Sequence, residues 1–379
     1  MANKNIPYGR QTIDEEDIRS VTEVLGSDFL TTGPKVGEFE DALASYVGTK
    51  HCVAVNSGTS ALDIAVGALE LPPGSEIITT PFTFSADANC VLYNGCKPVF
   101  ADIDPQTYNI DPEQILKKIT KKTKAIIYVD YAGHPCDIKE IKEIAEDHGL
   151  MLIEDACHAL GAEYSGKRVG SLADMTAFSF HPVKHITTGE GGAVATENEE
   201  FRTRLKLLRN HGIDKTPSER ATYVYDMKIL GRNYRITDFQ CALGISQLKK
   251  ADEFLKRREA VAKMYAEAFA GTGATADLVT PQHVKSNVRH AWHLYTILVG
   301  KGIDRDLFFS KMRANGIGVN VHYIPIYKFS YYKQFGINPK DYPVTEEIYS
   351  RIVSIPMFHS IKDEDVETVI KAVKESVSK

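Results

Sequence analysis

Seven short apolar runs separated by amphipathic stretches fill the first two hundred residues, and this alternation restricts the possible folds more than any other feature of the chain. The runs are HCVAVNS (51–57), EIITTP (76–81), PVFADI (98–103), KAIIYVDY (124–131), LMLIEDA (150–156), MTAFSF (175–180) and GAVATE (192–197). Between them lie segments of helical periodicity such as 60–69, 111–119 and 138–148. Near-continuous apolar strands alternating with helices predict an α/β fold, with a mainly parallel sheet covered on both faces. From Thr237 to about residue 270 the pattern becomes one long helical stretch, with Leu243, Leu248, Leu255 and Val261 apolar and the run KKADEFLKRRE (249–259) forming a solvated face. Strand-like segments HAWHLYTILV (290–299) and GVNVHYIPI (318–326) follow. The chain closes on a helix with Val366, Val369, Ile370, Val373 and Val377 on one stripe. This predicts a large α/β domain over residues 1–250 and a smaller α+β domain over 251–379, sharing an interface because no Pro/Gly/Ser-rich linker divides them.

Charge excludes several classes of partner. With 45 Lys+Arg against 50 Asp+Glu the net charge is -5, which leaves no basic footprint for nucleic acid or an anionic membrane. The six cysteines form no C-x-x-C pair and no Cys/His cluster at zinc spacing, so a reducing cytoplasm and no structural metal are expected. The first twenty residues, MANKNIPYGRQTIDEEDIRS, have no apolar stretch for a signal peptide or anchor.

Three segments carry chemistry. In AVNSGTSAL a strand ends at Asn56 and Ser57, and Gly58, Thr59 and Ser60 open an apolar-periodic helix. Backbone N–H groups at a helix start have no intrahelical partner and the helix dipole favours an anion there, although Ser or Thr at that place is equally an ordinary N-cap. The segment is neither G-x-G-x-x-G nor a Walker loop, so a dinucleotide or nucleoside triphosphate is not indicated. In LMLIEDACHALG, Asp155 stands at the carboxyl end of a buried strand, where open α/β sheets bind ligands. It needs a cationic or hydrogen-bonding partner, either a protonated pyridine nitrogen or, in a structural role, an arginine or a helix start that it caps. Asp155 and His158 also suggest metal ligands, but no further donor lies at ligand spacing. In MTAFSFHPVKHITTGEGGAVAT, a strand ending at Ser179 turns at Pro182, presents Lys184 and returns through a glycine-rich loop. Burial would lower the amine's pKa and make it a nucleophile and base, as a Schiff-base lysine must be; the alternative is an ion pair with Glu190 or Asp155. A phosphate cradle, an acid for a pyridine nitrogen and an amine for an aldehyde are together the demands of pyridoxal 5'-phosphate.

In this order the three segments resemble the DegT/DnrJ/EryC1/StrS family of sugar aminotransferases. The likeness runs through FLTTGPKVGEFEDALASYVGTKHCVAVNSGTSAL, ITTPFTFSADAN, VFADID, VDYAGHPCDI, IEDACHALGAEY, FSFHPVKHITTGEGGAV, NYRITDFQCALGISQLKK, AWHLYTILV and VHYIPIY, nearly the whole chain. It implies the fold type I architecture of pyridoxal-phosphate enzymes, with a seven-stranded large domain and a smaller C-terminal α+β domain. By position it implies that Lys184 bonds the cofactor aldehyde and that Asp155 meets the pyridine nitrogen. Thr59, Ser60 and Ser179 match phosphate-binding positions, Phe84 the aromatic that stacks on the ring, and His158 the position near the phenolic oxygen. Asn233 and Arg235 lie in the block from which a neighbouring subunit reaches the phosphate, which implies a homodimer with shared active sites. His322 and Tyr323 are candidates for lining the nucleotide-sugar cleft, although strand alternation makes at least one a packing residue.

Relatives with His at the lysine position act as sugar dehydratases, so Lys184 favours transamination. The wording FSFHPVKHITT, VDYAG and VHYIPIY is most similar to members that move an amino group from glutamate to C4 of a UDP-4-keto-6-deoxy-N-acetylhexosamine in pseudaminic acid synthesis. Members of the 4-amino-arabinose pathway come second, and dTDP-sugar aminotransferases, a sugar dehydratase and a non-catalytic cofactor-binding regulator are further alternatives. Pro182 and His185 depart from the residues common beside the lysine in these relatives.

Overall fold

The computed structural model describes residues 5–215, 221–270 and 278–377, so the first four residues of the N-terminal reading lie outside it. Thirteen strands occur among the described residues: β1 (His51–Val55), β2 (Glu76–Thr79), β3 (Lys97–Phe100), β4 (Thr123–Val129), β5 (Met151–Asp155), β6 (Glu163–Tyr164), β7 (Lys167–Arg168), β8 (Met175–Ser179), β9 (Gly192–Thr196), β10 (Val279–Pro281), β11 (Val288–Arg289), β12 (Tyr295–Val299) and β13 (Ile352–Ile355). All seven sequence-predicted runs fall in one sheet, ordered β1-β9-β8-β5-β4-β2-β3. The order from β8 to β3 is parallel, and β9 runs antiparallel to both its neighbours. β9 is reversed because the loop after β8 returns the chain directly to the adjacent edge, whereas the parallel strands are joined by helical crossovers. This is the fold type I architecture of pyridoxal-phosphate enzymes: a large domain on a seven-stranded sheet and a smaller C-terminal α+β domain.

Two apolar clusters cover opposite faces of the sheet. Strand alternation sends Val53, Val55, Ile127, Ile153 and Ala177 to one side, where the helix Gly58–Ala68 packs. Ala54, Ile126, Tyr128, Leu152 and Phe178 go to the other, against the helices Pro34–Val47, Ile138–His148 and Asp238–Leu248. The small domain is a three-stranded sheet, β10-β12-β13, closed by the last helix, Asp363–Val377, whose Val366, Val369, Val373 and Val377 are buried and whose Ile370 is partly so. Ile6 also enters this second core and bridges to Ile317, so the N-terminal segment spans to the C-terminal part.

Four sequence-based expectations change. The stretch 237–270 is two helices, Asp238–Leu248 and Ala251–Phe269. The chain turns at Lys250, whose ammonium is fixed 2.7 Å from Asp14 and 2.8 Å from Asp17. Within the solvated run, Arg258 is only 2% exposed: its guanidinium donates to the carbonyls of Trp292, His293 and Met357. Only residues 295–299 of the segment 290–299 form a strand, since Trp292 takes a left-handed backbone. The segment 318–326 makes only isolated pairings with Ile6 and Ser354 before it enters the cleft described next. Among the described residues no helix is long and apolar enough to cross a membrane.

Candidate active site

A cleft of about 570 Å³ opens at the carboxyl ends of β1, β5 and β8, and most of the sequence-predicted residues line it. Thr59, Phe84, Asp155, Ser179, Lys184, His322 and Tyr323 are all on its wall. Ser60 and His158 stand one layer behind. The Ser60 hydroxyl donates to Asn56 Oδ1 at 2.6 Å, and His158 reaches the wall through a 2.9 Å contact with the Tyr323 hydroxyl. Asn233 and Arg235 are not on this wall. Asn233 is exposed, Arg235 donates to Asn210 Oδ1 at 2.9 Å, and Arg235 lines a separate surface cavity with Thr32, Glu40 and Arg209.

The anion end is built by close packing. Ser57 caps the helix Gly58–Ala68, its hydroxyl accepting from the Ser60 N–H at 3.1 Å, while the amides of Gly58 and Thr59 have no intrahelical acceptor. A Cβ on Gly58 would stand 2.8 Å from the Ser179 Cβ, and one on Gly192 would stand 2.4 Å from the Ser57 carbonyl oxygen. The two glycines therefore let the helix start press onto β8 and β9. Its unpaired N–H groups and dipole meet the Ser179 hydroxyl at one spot, which suits a phosphate.

Asp155 ends β5, 7% exposed, with Oδ1 accepting from the Cys157 N–H at 3.0 Å. Lys184 lies in the turn after β8, where its N–H bonds the His181 carbonyl at 2.9 Å. Burial pulls its amine below the usual lysine range, against the opposing pull of Cys157, Asp155 and Asp87. Among the described residues no ion pair within 4 Å joins it to Asp155 or Glu190, although Asp155 acts on it electrostatically. Phe84 is 58% exposed and leaves a ring face open to the cleft, 6.1 Å from the ring centre of Tyr323. The donor set fits a ligand that combines a phosphate, an aldehyde and a basic ring nitrogen.

Histidines crowd the other side. His158 packs 4.3 Å from His293, and His185 lies 5.7 Å from the same ring. Burial, then neighbouring Lys184, keeps the His158 and His322 imidazoles neutral, the latter pushed down to about 3. Sequence reasoning missed His293 and Asn320, which stand in segments read as plain strand, and Tyr8, which comes from an N-terminal segment with no motif. It also missed Asp87, a carboxylate inside the short helix ADANCVLY. A charge in so small and apolar a helix is the signal that would have found it. Among the described residues no group of three or more His, Cys, Asp or Glu is placed to hold a metal.

The family model for the DegT/DnrJ/EryC1/StrS aminotransferase family matches residues 11–374. The spore coat polysaccharide biosynthesis protein SpsC of Bacillus subtilis is 41% identical over 384 residues, 99% of this chain and 98% of that protein. A UDP-4-amino-4,6-dideoxy-N-acetyl-beta-L-altrosamine transaminase of Campylobacter jejuni is 41% identical over 370 residues, 96% of this chain and 95% of its own. Among solved structures, Helicobacter pylori PseC, an aminotransferase of pseudaminic acid biosynthesis, superposes with a TM-score of 0.93 at 37% identity over 99% of both chains.

Proposed function

The chain belongs to the DegT/DnrJ/EryC1/StrS aminotransferase family and is a pyridoxal-phosphate-dependent transaminase, and from that premise we propose that it carries an amino group from glutamate to C4 of a UDP-4-keto-6-deoxy-N-acetylhexosamine. The substrate reading draws support from the Campylobacter and Helicobacter relatives. The equal identity to the spore coat protein favours a second reading, another nucleotide-linked keto sugar destined for a polysaccharide.

The observation that carries the proposal is a single cleft holding Lys184, Asp155, Ser179 and the start of the helix Gly58–Ala68, whose first amides have no intrahelical acceptor. Bound there, pyridoxal phosphate would supply an aldehyde to take up the amino group and a ring to accept the electron pair of the deprotonated carbon. Thr59 and Ser179, with the helix amides, would hold the phosphate, with Ser60 supporting them from behind through Asn56; Phe84 would cover a ring face, and His158 would stand near the phenolic oxygen. The Asp155 carboxylate would keep the ring nitrogen protonated. Lys184, its amine pKa lowered by burial, would hold the cofactor's aldehyde through Nζ, and the same amine would move protons, taking one from the α-carbon of the amino donor and, in the return half, delivering one to C4 of the sugar. His322 and Tyr323 face the same space and would orient the sugar.

We further propose a homodimer with shared sites, in which Asn233 and Arg235 serve the partner's cleft. Phe29, Leu30, Tyr223, Val224, Met227 and Leu230 expose a broad apolar surface on the segments flanking these residues, more than a solitary subunit normally leaves in water. We propose the domain division at 250/251, supported by the helix that starts at Ala251 and whose later turns enter the second core.

The test is incubation of the purified protein with glutamate and a panel of UDP- and dTDP-4-keto-6-deoxy sugars, reading 2-oxoglutarate and the amino sugar by mass. Amination of the UDP-4-keto N-acetylhexosamine supports the reading. Turnover confined to a dTDP-3-keto sugar would remove the substrate assignment.

A further inference from the structure

Asp87 is the buried group at the site that this chemistry does not use. It sits in the first turn of the helix Ala86–Tyr93, is 0% exposed, and lies within hydrogen-bonding reach of the Asp155 carboxyl. One of its oxygens accepts from the Thr83 hydroxyl at 2.7 Å, and the other, Oδ1, meets no donor in hydrogen-bond geometry among the described residues. Two ionised carboxylates in contact and out of water repel strongly, and a buried acceptor without a donor costs about 1–3 kcal/mol. A proton shared between Asp87 and Asp155 removes both penalties.

The remaining surroundings do not supply a competing cation at close range. Cys90 faces Asp87 from its own helix, Cys157 from the end of β5, and the hydroxyls of Tyr323 and Tyr332 from the C-terminal part. Lys184 is a cation that acts on it, itself weakened by burial. Burial first and then the charge of Asp155 hold the Asp87 carboxyl well above the usual carboxylate range, against the Thr83 hydroxyl.

We propose that Asp87 is a positioning residue for the transamination: it carries a proton and donates it to the Asp155 carboxylate, fixing the orientation in which Asp155 meets the cofactor's ring nitrogen. The inference rests on the reading of Asp155 as the partner of that nitrogen. Asp87→Asn keeps an N–H donor but cannot ionise, whereas Asp87→Ala keeps neither.

The experiment measures pyridoxal phosphate affinity of the full chain near neutral pH, and thermal stability of the cofactor-free protein from about pH 5 to 8. A carboxyl with a raised folded-state pKa gives stability that is complete below the unfolded value and is lost as pH climbs. The melting temperature of Asp87→Asn should therefore gain on the wild type steadily with pH. Its affinity should stay within about threefold of wild type, and that of Asp87→Ala should fall roughly tenfold or more, the worth of a hydrogen bond to a charged group. A melting difference independent of pH, or Asn as weak as Ala, overturns the proposal. If the Ala variant does not fold, the pH dependence of the Asn variant decides alone. Asp155→Asn, run alongside, separates the premises: unchanged affinity there overturns the role of Asp155 and this inference with it, while lost affinity there leaves any failure to Asp87.

Discussion

Nε2 of His158 lies 2.9 Å from the Tyr323 hydroxyl, while the Ala132 N–H points at the other ring nitrogen, Nδ1, from 3.3 Å. Burial keeps this imidazole neutral, so Nδ1 is the acceptor, Nε2 carries the hydrogen, and the Tyr323 oxygen receives it. The hydroxyl's own proton is then free to point into the cleft. Tyr323→Phe strips the acceptor from a buried N–H and should cost about 1–3 kcal/mol of folding stability in urea titration. It should also raise KM for the keto sugar, because the cleft loses a donor; unchanged stability with unchanged KM would contradict the pairing.

Lys184→Ala should abolish amino transfer. Loss of a positioned proton carrier alone removes roughly 10²–10⁴ in rate, and the bond to the cofactor aldehyde goes with it. Borohydride reduction of the wild type saturated with pyridoxal phosphate should add mass to the peptide holding Lys184 and add none in the variant. Keto sugar turnover that survives in the variant would favour the dehydratase reading instead.

His185 Nε2 lies 2.9 Å from the Ala291 carbonyl oxygen, and because a carbonyl only accepts, Nε2 carries the hydrogen and donates it. Burial, then Arg258, pushes this histidine down to about 3, against about 6.5 in the unfolded chain. The folded state thus binds fewer protons below pH 6.5, so stability is complete above that value and lost as pH falls toward 3. The slope is about 1.4 kcal/mol per pH unit, or roughly 2 kcal/mol between pH 6.5 and 5. His185→Gln retains an N–H for Ala291 without a titrating ring. Urea unfolding at pH 7 and pH 5 should show a smaller acid loss in the variant by about that amount.

The sheet was legible because parallel strands buried on both faces must be apolar along their whole length, and the pattern cannot be confused with amphipathic alternation. Asp155 and Lys184 stood out for the complementary reason, as charges set into apolar runs. Arg258 escaped notice because its neighbours Lys256, Arg257 and Glu259 make a charged run, and nothing local says which member turns inward. Its place is decided by three carbonyls, at Trp292, His293 and Met357, that lie far along the chain. Segment 318–326 misled because Val319, Val321 and Tyr323 alternate as in a strand, yet the hydrogen-bond partners of that backbone come from Ile6 and Ser354 at isolated points. Asp87 is a mixed case: its charge in a small apolar helix and Thr83 four residues before it are local, but the Asp155 carboxyl that meets it comes from a strand far along the chain.

Arg235 and Lys184 line different cavities of one subunit, and this separation gives the dimer proposal a decisive form. If Arg235 acts in the partner's cleft, Lys184→Ala and Arg235→Ala damage the same site from opposite chains. Each variant alone should be nearly inactive as a homodimer. Mixed in equal amounts, unfolded and refolded together, half of the dimers pair one chain of each kind. One site of such a hybrid carries both lesions, and the other draws an intact Lys184 from one chain and an intact Arg235 from its partner. The mixture should therefore recover about a quarter of wild-type activity, as random pairing in a twofold dimer requires. If Arg235 serves its own chain's cleft, every site in the hybrid carries one lesion and mixing restores nothing.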